Sequence, residues 1–299
     1  MTAVLSIITT CKGRLDHLRR SLPKMAAQPG TETVVVDYDC PDGTGDWVEQ
    51  HFPQVRLVRA RGVEGFNTSH ARNIGARAAT APWLGFFDAD NILADRFSAS
   101  VVPALRDGHY YRASPVTPQT WGALICRHED FFRVNGYDEA YTGWGGEDDD
   151  LLAMLALHGI TGHGFPASLL DEIDHDDERR TRFATVKNRW LQNRINQVYL
   201  YAKLDLIRLR GIAPTFQESR LVFAEIERTV LQASAAGNAD CVVNLGLPEH
   251  VLSSSVYEGM IELNSLSRSL TYKLSFRGTR PSPGLPQPNL PMIDCGEAA

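Results

Sequence analysis

Phe86-Phe87-Asp88-Ala89-Asp90 places two carboxylates one residue apart at the end of an apolar run. Alternate positions of an extended chain point to the same side, so Asp88 and Asp90 can face one ligand, and hard oxygen donors suit Mn2+ or Mg2+. An ion held there would bridge the two phosphates of a nucleotide donor and neutralise charge on the leaving group. So short a pattern reads equally as an ordinary strand-to-loop turn, where Asp is common. More weight falls on Thr142-Gly143-Trp144-Gly145-Gly146-Glu147-Asp148-Asp149-Asp150. Glycines around a tryptophan let the backbone bend closely about a ligand, and an indole face packs well on a sugar ring. The acids that follow suit the positive end of a helix dipole, but capping does not need all four, and a carboxylate within reach of a hydroxyl is a general base.

Three further positions join this list. Arg72 and Asn73, in Ala71-Arg72-Asn73-Ile74-Gly75, stand near a helix start, where guanidinium and helix dipole together favour a diphosphate or carboxylate. Asp37 ends an apolar run and would accept from a base or ribose, or simply terminate the strand. His175, in Ile173-Asp174-His175-Asp176-Asp177, offers a neutral imidazole for a metal shell begun by Asp90, although an isolated histidine in a charged loop reads first as exposed. Cys11 has no neighbour that suggests an activated thiol and is given no role.

The elements that must position these groups follow from the apolar patterning. Ala3 to Thr10, Thr33 to Val36, Val55 to Val58 and Trp83 to Phe87 read as buried strands, with helices at Arg14 to Met25 and Ser69 to Ala79 between them. Short alternation of strand and helix predicts an open, mainly parallel α/β sheet, whose ligands sit at the carboxyl ends of its strands. Another strand is expected at Trp121 to Cys126, a helix at His128 to Val134, and a helical run at Leu151 to Leu157 behind the acids. Beyond Arg179, amphipathic patterns at Thr181 to Leu209 and Gln217 to Ala235 predict a helical appendage, followed by a poorly ordered Pro-rich tail from Pro281 to Pro291. The expected division is 1–105 for nucleotide-sugar binding, 106–205 for the acceptor and 206–299 for the extension. That extension reads as structural support, with an oligomer interface, a lid and an acceptor lobe as the alternatives.

A net charge of -6 gives no basic footprint, so nucleic-acid binding is not expected. Five widely spaced cysteines form no zinc pairs and no disulfide framework, which fits a reducing cytoplasm. No apolar stretch is long enough to cross a bilayer, so any membrane association would be peripheral.

The order of these pieces resembles the glycosyltransferases of families 2 and 7, the latter including the β-1,4-galactosyltransferases. Ser6 to Arg14 looks like their opening strand and loop, Val34-Val35-Val36-Asp37 like the base-binding segment, and Asp88-Ala89-Asp90 takes the place of their Asp-x-Asp motif. Asn135-Gly136-Tyr137 with Gly143 to Asp150 is similar to the galactosyltransferase acceptor signature, and the resemblance spans about residues 3 to 180. It implies a GT-A fold, α/β and Rossmann-like, and an inverting transfer of galactose, N-acetylgalactosamine or glucose from a UDP-sugar to a hydroxyl of a glycan or other acceptor. It also implies donor contacts from Thr10, Arg14, Asp37, Arg72, Asn73, Asp88 and Asp90, and Mn2+ or Mg2+ on Asp90 and His175. Trp144, Gly145, Gly146, Glu147 and Asp149 would shape the acceptor site, with Asp148 as base. Where those relatives carry a methionine three residues before the metal histidine, this chain has Glu172. The competing readings are a sugar-nucleotide nucleotidyltransferase, for which Thr10 to Arg14 is too poor in glycine, and a non-catalytic carbohydrate-binding protein.

Overall fold

The computed structural model describes residues 2–117, 120–174, 179, 181–247, 268–276 and 290–295. His175 and residues 281–289 of the Pro-rich tail lie outside them. The chain divides into two compact units, Met1–Glu139 with Glu147–Thr185 and Leu285–Ala299, and Ala140–Gly146 with Val186–Gly284.

The first unit runs β1 (Leu5–Cys11), α1 (Leu15–Ala26), β2 (Thr31–Tyr38), α2 (Thr44–His51), β3 (Arg56–Ala60), α3 (Thr68–Ala78) and β4 (Trp83–Phe86). It continues with β5 (Asn91–Leu93), α4 (Phe97–Val101), β6 (His109–Ser114), β7 (Leu124–Arg127), α5 (His128–Arg133), α6 (Glu147–Leu157), β8 (Thr161–Pro166) and β9 (Leu170–Glu172). Seven of these strands form one sheet in the order β3-β2-β1-β4-β7-β6-β8. β1, β2, β3 and β4 pair in parallel, with Ile8 opposite both Val34 and Phe86. β7 enters antiparallel between β4 and β6. All seven residues of β1 are buried, as a strand covered on both faces requires. α1 covers one face through Leu18, Leu22 and Met25, which pack with Leu5, Ile7, Phe87 and Phe97. The 1–105 and 106–205 halves share this sheet because β6, β7 and β8 belong to it. The chain leaves β1 for β2 on one side and returns to β4 on the other, which opens a ligand crevice at their carboxyl ends.

The second unit runs α7 (Arg189–Arg210), α8 (Phe216–Ala235), β10 (Asp240–Leu247) and β11 (Arg268–Ser275). Ile195, Tyr199, Phe223, Ile226 and Val230 form its core with Tyr141 and Val243. α7 begins at Arg189 rather than near Thr181 because the Asn188 side chain accepts from the Trp190 and Leu191 amides. Gly211, at φ 73, ends it, and a Thr215–Glu218 capping box starts α8. α7 and α8 are the expected helices. The antiparallel pair β10 and β11 was not expected, and it makes the extension α/β rather than wholly helical. Among the described residues no helix is long and apolar enough to cross a membrane.

Candidate functional site

In the first unit three of the sequence candidates meet on one guanidinium. Arg72, on α3 and only 4% exposed, donates from Nη1 to Asp148 Oδ1 at 2.7 Å and from Nη2 to Asp88 Oδ1 at 3.0 Å. Glu147 Oε1 lies 3.8 Å from Nη1, and the guanidinium carbon lies 5.0 Å from the Tyr137 ring centroid. The carboxylate following β4 and those opening α6 are thereby joined through α3. Burial alone would weaken the Arg72 charge, but Asp148, Tyr137, Asp88 and Glu147 outweigh it and hold its pKa well above the ordinary value.

The adjacent acids are driven apart. Burial, with the neighbouring Asp148 charge, pushes Glu147 up to about 8 against the pull of Arg72. Burial also raises Asp148, but Arg72 and Arg112 oppose it. A coupled pair of this kind holds one proton in common, and the carboxylate bonded to the cation is the one that stays ionised. Near neutral pH Glu147 therefore keeps its proton, and the bond from Arg72 makes Asp148 the more acidic of the two. The Tyr137 hydroxyl donates to Asp148 Oδ1 at 3.4 Å.

Asn73 is drawn into the framework. Its Nδ2 donates to the Tyr137 carbonyl and to Glu139 Oε1, each at 2.8 Å, and its Oδ1 accepts from the Tyr137 amide at 3.0 Å. It therefore fixes the Asn135-Gly136-Tyr137 turn, which carries positive φ at Asn135 and Gly136. Asp37 is buried at the end of β2, accepting from the Cys40 amide at 2.9 Å, and Thr10 is buried near the end of β1. Asp149 is buried in the first turn of α6.

Asp90 Oδ2 accepts from Arg14 Nη1 at 3.0 Å, across the start of α1. The Ile173 amide donates to the Asp90 carbonyl at 3.0 Å, beyond the β5–β9 pairing that sets Asn91 against Glu172. The run toward His175 thus departs from the backbone of Asp90, although His175 itself falls outside the described residues. The Asp88 carboxylate is 38% exposed and that of Asp90 12%, so Asp88 is the more open. Among the described residues no group of three or more His, Cys, Asp or Glu is gathered as for a metal ion.

Trp144, Gly145 and Gly146 belong to the second unit, held by α7. Asn196, fully buried, donates from Nδ2 to the carbonyls of Thr142, Trp144 and Gly145, while Gln192 Nε2 donates to Asn196 Oδ1. Gly143, Gly145 and Gly146 have φ of 66, 89 and 91, and a Cβ on them would come within 3 Å of Gln192, Asn193 and Asn196 respectively. Glycine is demanded here by conformation and by space. The Arg189 guanidinium stacks 4.1 Å from the Trp190 centroid and 5.1 Å from that of Trp144.

Sequence reading missed three groups. Arg112, 1% exposed, donates to the Trp121 carbonyl, and burial lowers its pKa against the support of Asp148 and Asp149. A Cβ on Gly122 would stand 2.5 Å from Arg72 Nη2 and 3.3 Å from Asp88 Oδ2, so the backbone passes hard against the clamp. Asn196 lies 50 residues and more from the loop it holds. None of the three carries a local motif; each is defined by a partner remote in sequence.

Residues 6–127 match glycosyl transferase family 2, and residues 109–179 match the family described as the N-terminal domain of galactosyltransferase. Validoxylamine A glucosyltransferase of Streptomyces hygroscopicus subsp. jinggangensis is 26% identical, over 52% of this chain and 52% of that one. β-1,4-Galactosyltransferase 4 of Rattus norvegicus is 51% identical over 37 residues, which are 12% of this chain and 11% of that one. The match thus spans about half the length of the first of these relatives and much less of the second. Among solved structures, mannosyltransferase PcManGT from Pyrobaculum calidifontis, in complex with GDP-Man and Mn2+, superposes with a TM-score of 0.50 at 19% identity, covering 80% of this chain and 76% of that one.

Proposed function

We propose that the chain, which has the GT-A fold and matches families 2 and 7 over residues 6–127 and 109–179, is a glycosyltransferase that transfers a hexose from a UDP-sugar to an acceptor hydroxyl with inversion at the anomeric carbon. The observation that carries the proposal is the Arg72 clamp, which ties the donor-side carboxylate Asp88 to the acceptor-side carboxylate Asp148. The glucosyl and galactosyl activities in the relatives' names favour a hexose, with galactose, N-acetylgalactosamine and glucose as the candidates.

In this reading Asp148 is the base. Arg72 and Tyr137 occupy its Oδ1, which leaves Oδ2 to accept the proton of the attacking hydroxyl. Arg72 keeps that carboxylate charged in a setting where burial alone would protonate it, and Glu147, neutral near pH 7, donates to an acceptor oxygen. The guanidinium is thus a positioning group for the base, with little surface left for the diphosphate that sequence reasoning assigned to it. Asp37 and Thr10, at the carboxyl ends of β2 and β1, stand where such sheets receive the nucleotide.

Asp90 and His175 are the groups proposed to hold a divalent cation, with Asp88 supporting donor placement. A carboxylate and an imidazole suit Mn2+ or Mg2+, and the pairing of Asp90 with Arg14 marks a carboxylate that takes a positive partner. Such an ion, when bound, supplies charge neutralisation on the departing diphosphate. The five thiols are unpaired, which supports a cytoplasmic setting, and the glycan or other acceptor would arrive there in soluble form or at a membrane surface.

A donor screen tests the reading. UDP release from UDP-galactose, UDP-N-acetylgalactosamine and UDP-glucose is measured with and without Mn2+. Mn2+-stimulated release with at least one donor is expected. No release from any of them, or release that depends on pyrophosphate, would remove the proposal.

A further inference from the structure

Two thiols at the carboxyl ends of β1 and β2 take no part in the chemistry above. Cys11 closes β1, opposite Asp37 in the parallel register, and Cys40 lies in the turn after β2. Both are buried, Cys11 at 1% and Cys40 at 8% exposure, and each thiol acts on the other's acidity. Their surroundings differ. Cys40 Sγ accepts from the Gly13 amide at 3.1 Å and is also met by the Asp42 amide and the Thr44 hydroxyl, at the amino end of α2. Cys11 Sγ lies 3.2 Å from Thr44 Oγ1.

Backbone N–H groups aimed at a sulfur, with a helix amino end behind them, stabilise a thiolate. We infer that Cys40 and Cys11 form an oxidisable pair, with Cys40 as the attacking thiolate and Cys11 as the resolving thiol, taking hydrogen peroxide as oxidant. The Cys40 thiolate attacks one peroxide oxygen; the S–O bond forms, the O–O bond breaks, and hydroxide leaves. The Cys11 sulfur then attacks the sulfenic sulfur; the S–S bond forms, the S–O bond breaks, and water leaves with the Cys11 proton. The groups around Cys40 bring its pKa down to about 5, Cys11 contributing most, while Cys40 and burial push Cys11 up. That asymmetry is the one that an attacking and a resolving thiol require. Among the other cysteines, Cys126 is fully buried and raised by its burial, and Cys241 and Cys295 are raised as well. The cross-link would tie β1 to the turn whose Cys40 amide donates to Asp37, at the end of the sheet where a nucleotide is expected.

The test needs no transfer activity, so it stands apart from the glycosyltransferase reading. The full reduced chain is treated with hydrogen peroxide at pH 6 and pH 7, then analysed by intact mass and by a non-reducing peptide map. The expected result is loss of two hydrogens, a Cys11–Cys40 linked peptide, and full reversal by dithiothreitol. Cys40→Ser abolishes the loss, Cys11→Ser leaves Cys40 as a sulfenic acid trapped by dimedone, and Cys126→Ser changes nothing. Circular dichroism confirms that each variant is folded. A wild-type chain that keeps both thiols while free glutathione is oxidised, or one that links other cysteines, overturns the inference.

Discussion

Arg72→Met isolates the contribution of the buried guanidinium, since it keeps most of the side-chain volume and removes the charge. In the wild-type protein that charge lies 2.7 Å from Asp148 and 3.0 Å from Asp88. Asp88 is 38% exposed and can be solvated once the cation is gone, whereas the Asp148 side chain is 14% exposed and cannot. Breaking one partner from a buried pair typically costs about 3–5 kcal/mol. Here the cost has a ceiling, because Asp148 can take up a proton instead of staying charged. From its ordinary value of 3.8 to pH 7, at about 1.4 kcal/mol per pH unit, that ceiling is about 4 kcal/mol, and the part that burial has already raised Asp148 in the wild type comes off it. It falls with pH, to about 1.5 kcal/mol at pH 5. Urea unfolding of wild-type and variant at both pH values therefore should give a difference of about 1–3 kcal/mol at pH 7 that is smaller at pH 5. A difference below about 1 kcal/mol at pH 7, or one equal at the two pH values, would refute the claim that Arg72 holds Asp148 in its charged form.

Other consequences follow from the same geometry. Glu147 holds a proton in the folded state up to about pH 8 but loses it near 4.5 when unfolded, so its contribution to stability is full below pH 4.5 and is lost as pH rises to 8. Glu147→Gln keeps a neutral group and should flatten that slope, leaving the variant about 3–5 kcal/mol less pH-sensitive than wild type over this window, read by urea titrations at pH 5 and pH 8.5. Gly122→Ala sets a methyl 2.5 Å from Arg72 Nη2 and should destabilise by about 1–3 kcal/mol, read by thermal unfolding. Asn196→Ala leaves the Thr142 and Gly145 carbonyls without their donor and should cost about 1–3 kcal/mol, with increased hydrogen exchange in residues 142–146.

The parallel half of the sheet was legible because burial on both faces writes itself as unbroken apolar runs. Ile7, Ile8, Val34, Val35, Val36 and Phe86 are all buried where those runs predicted strands. β6 and β8 were less visible, since His109, Arg112, His163 and Gly164 interrupt the apolar signal and the strands are defined by pairing with each other. β10 alternates, with Cys241, Val243 and Leu245 buried and Val242 exposed, but its partner β11 begins 21 residues after its end, so nothing local announced the pair. The candidate site divides in the same way. Asp88, Asp90 and the Glu147-Asp148 pair stand out because their chemistry is written in adjacent residues. That Asn73 serves Tyr137, and that Arg72 serves Asp148, depends on contacts across 64 and 76 residues and becomes visible only when α3 is set beside α6.

The central claim is that Asp148 accepts the acceptor's proton. Asp148→Asn preserves an oxygen for Arg72 and removes the basic one, so transfer and donor binding can be measured on one folded variant with the UDP-sugar found active. The account predicts that transfer falls by about 10²–10⁴-fold while UDP-sugar affinity in the presence of Mn2+ stays within about threefold of wild type. Transfer within about tenfold of wild type, or a matching loss of donor affinity, would contradict it.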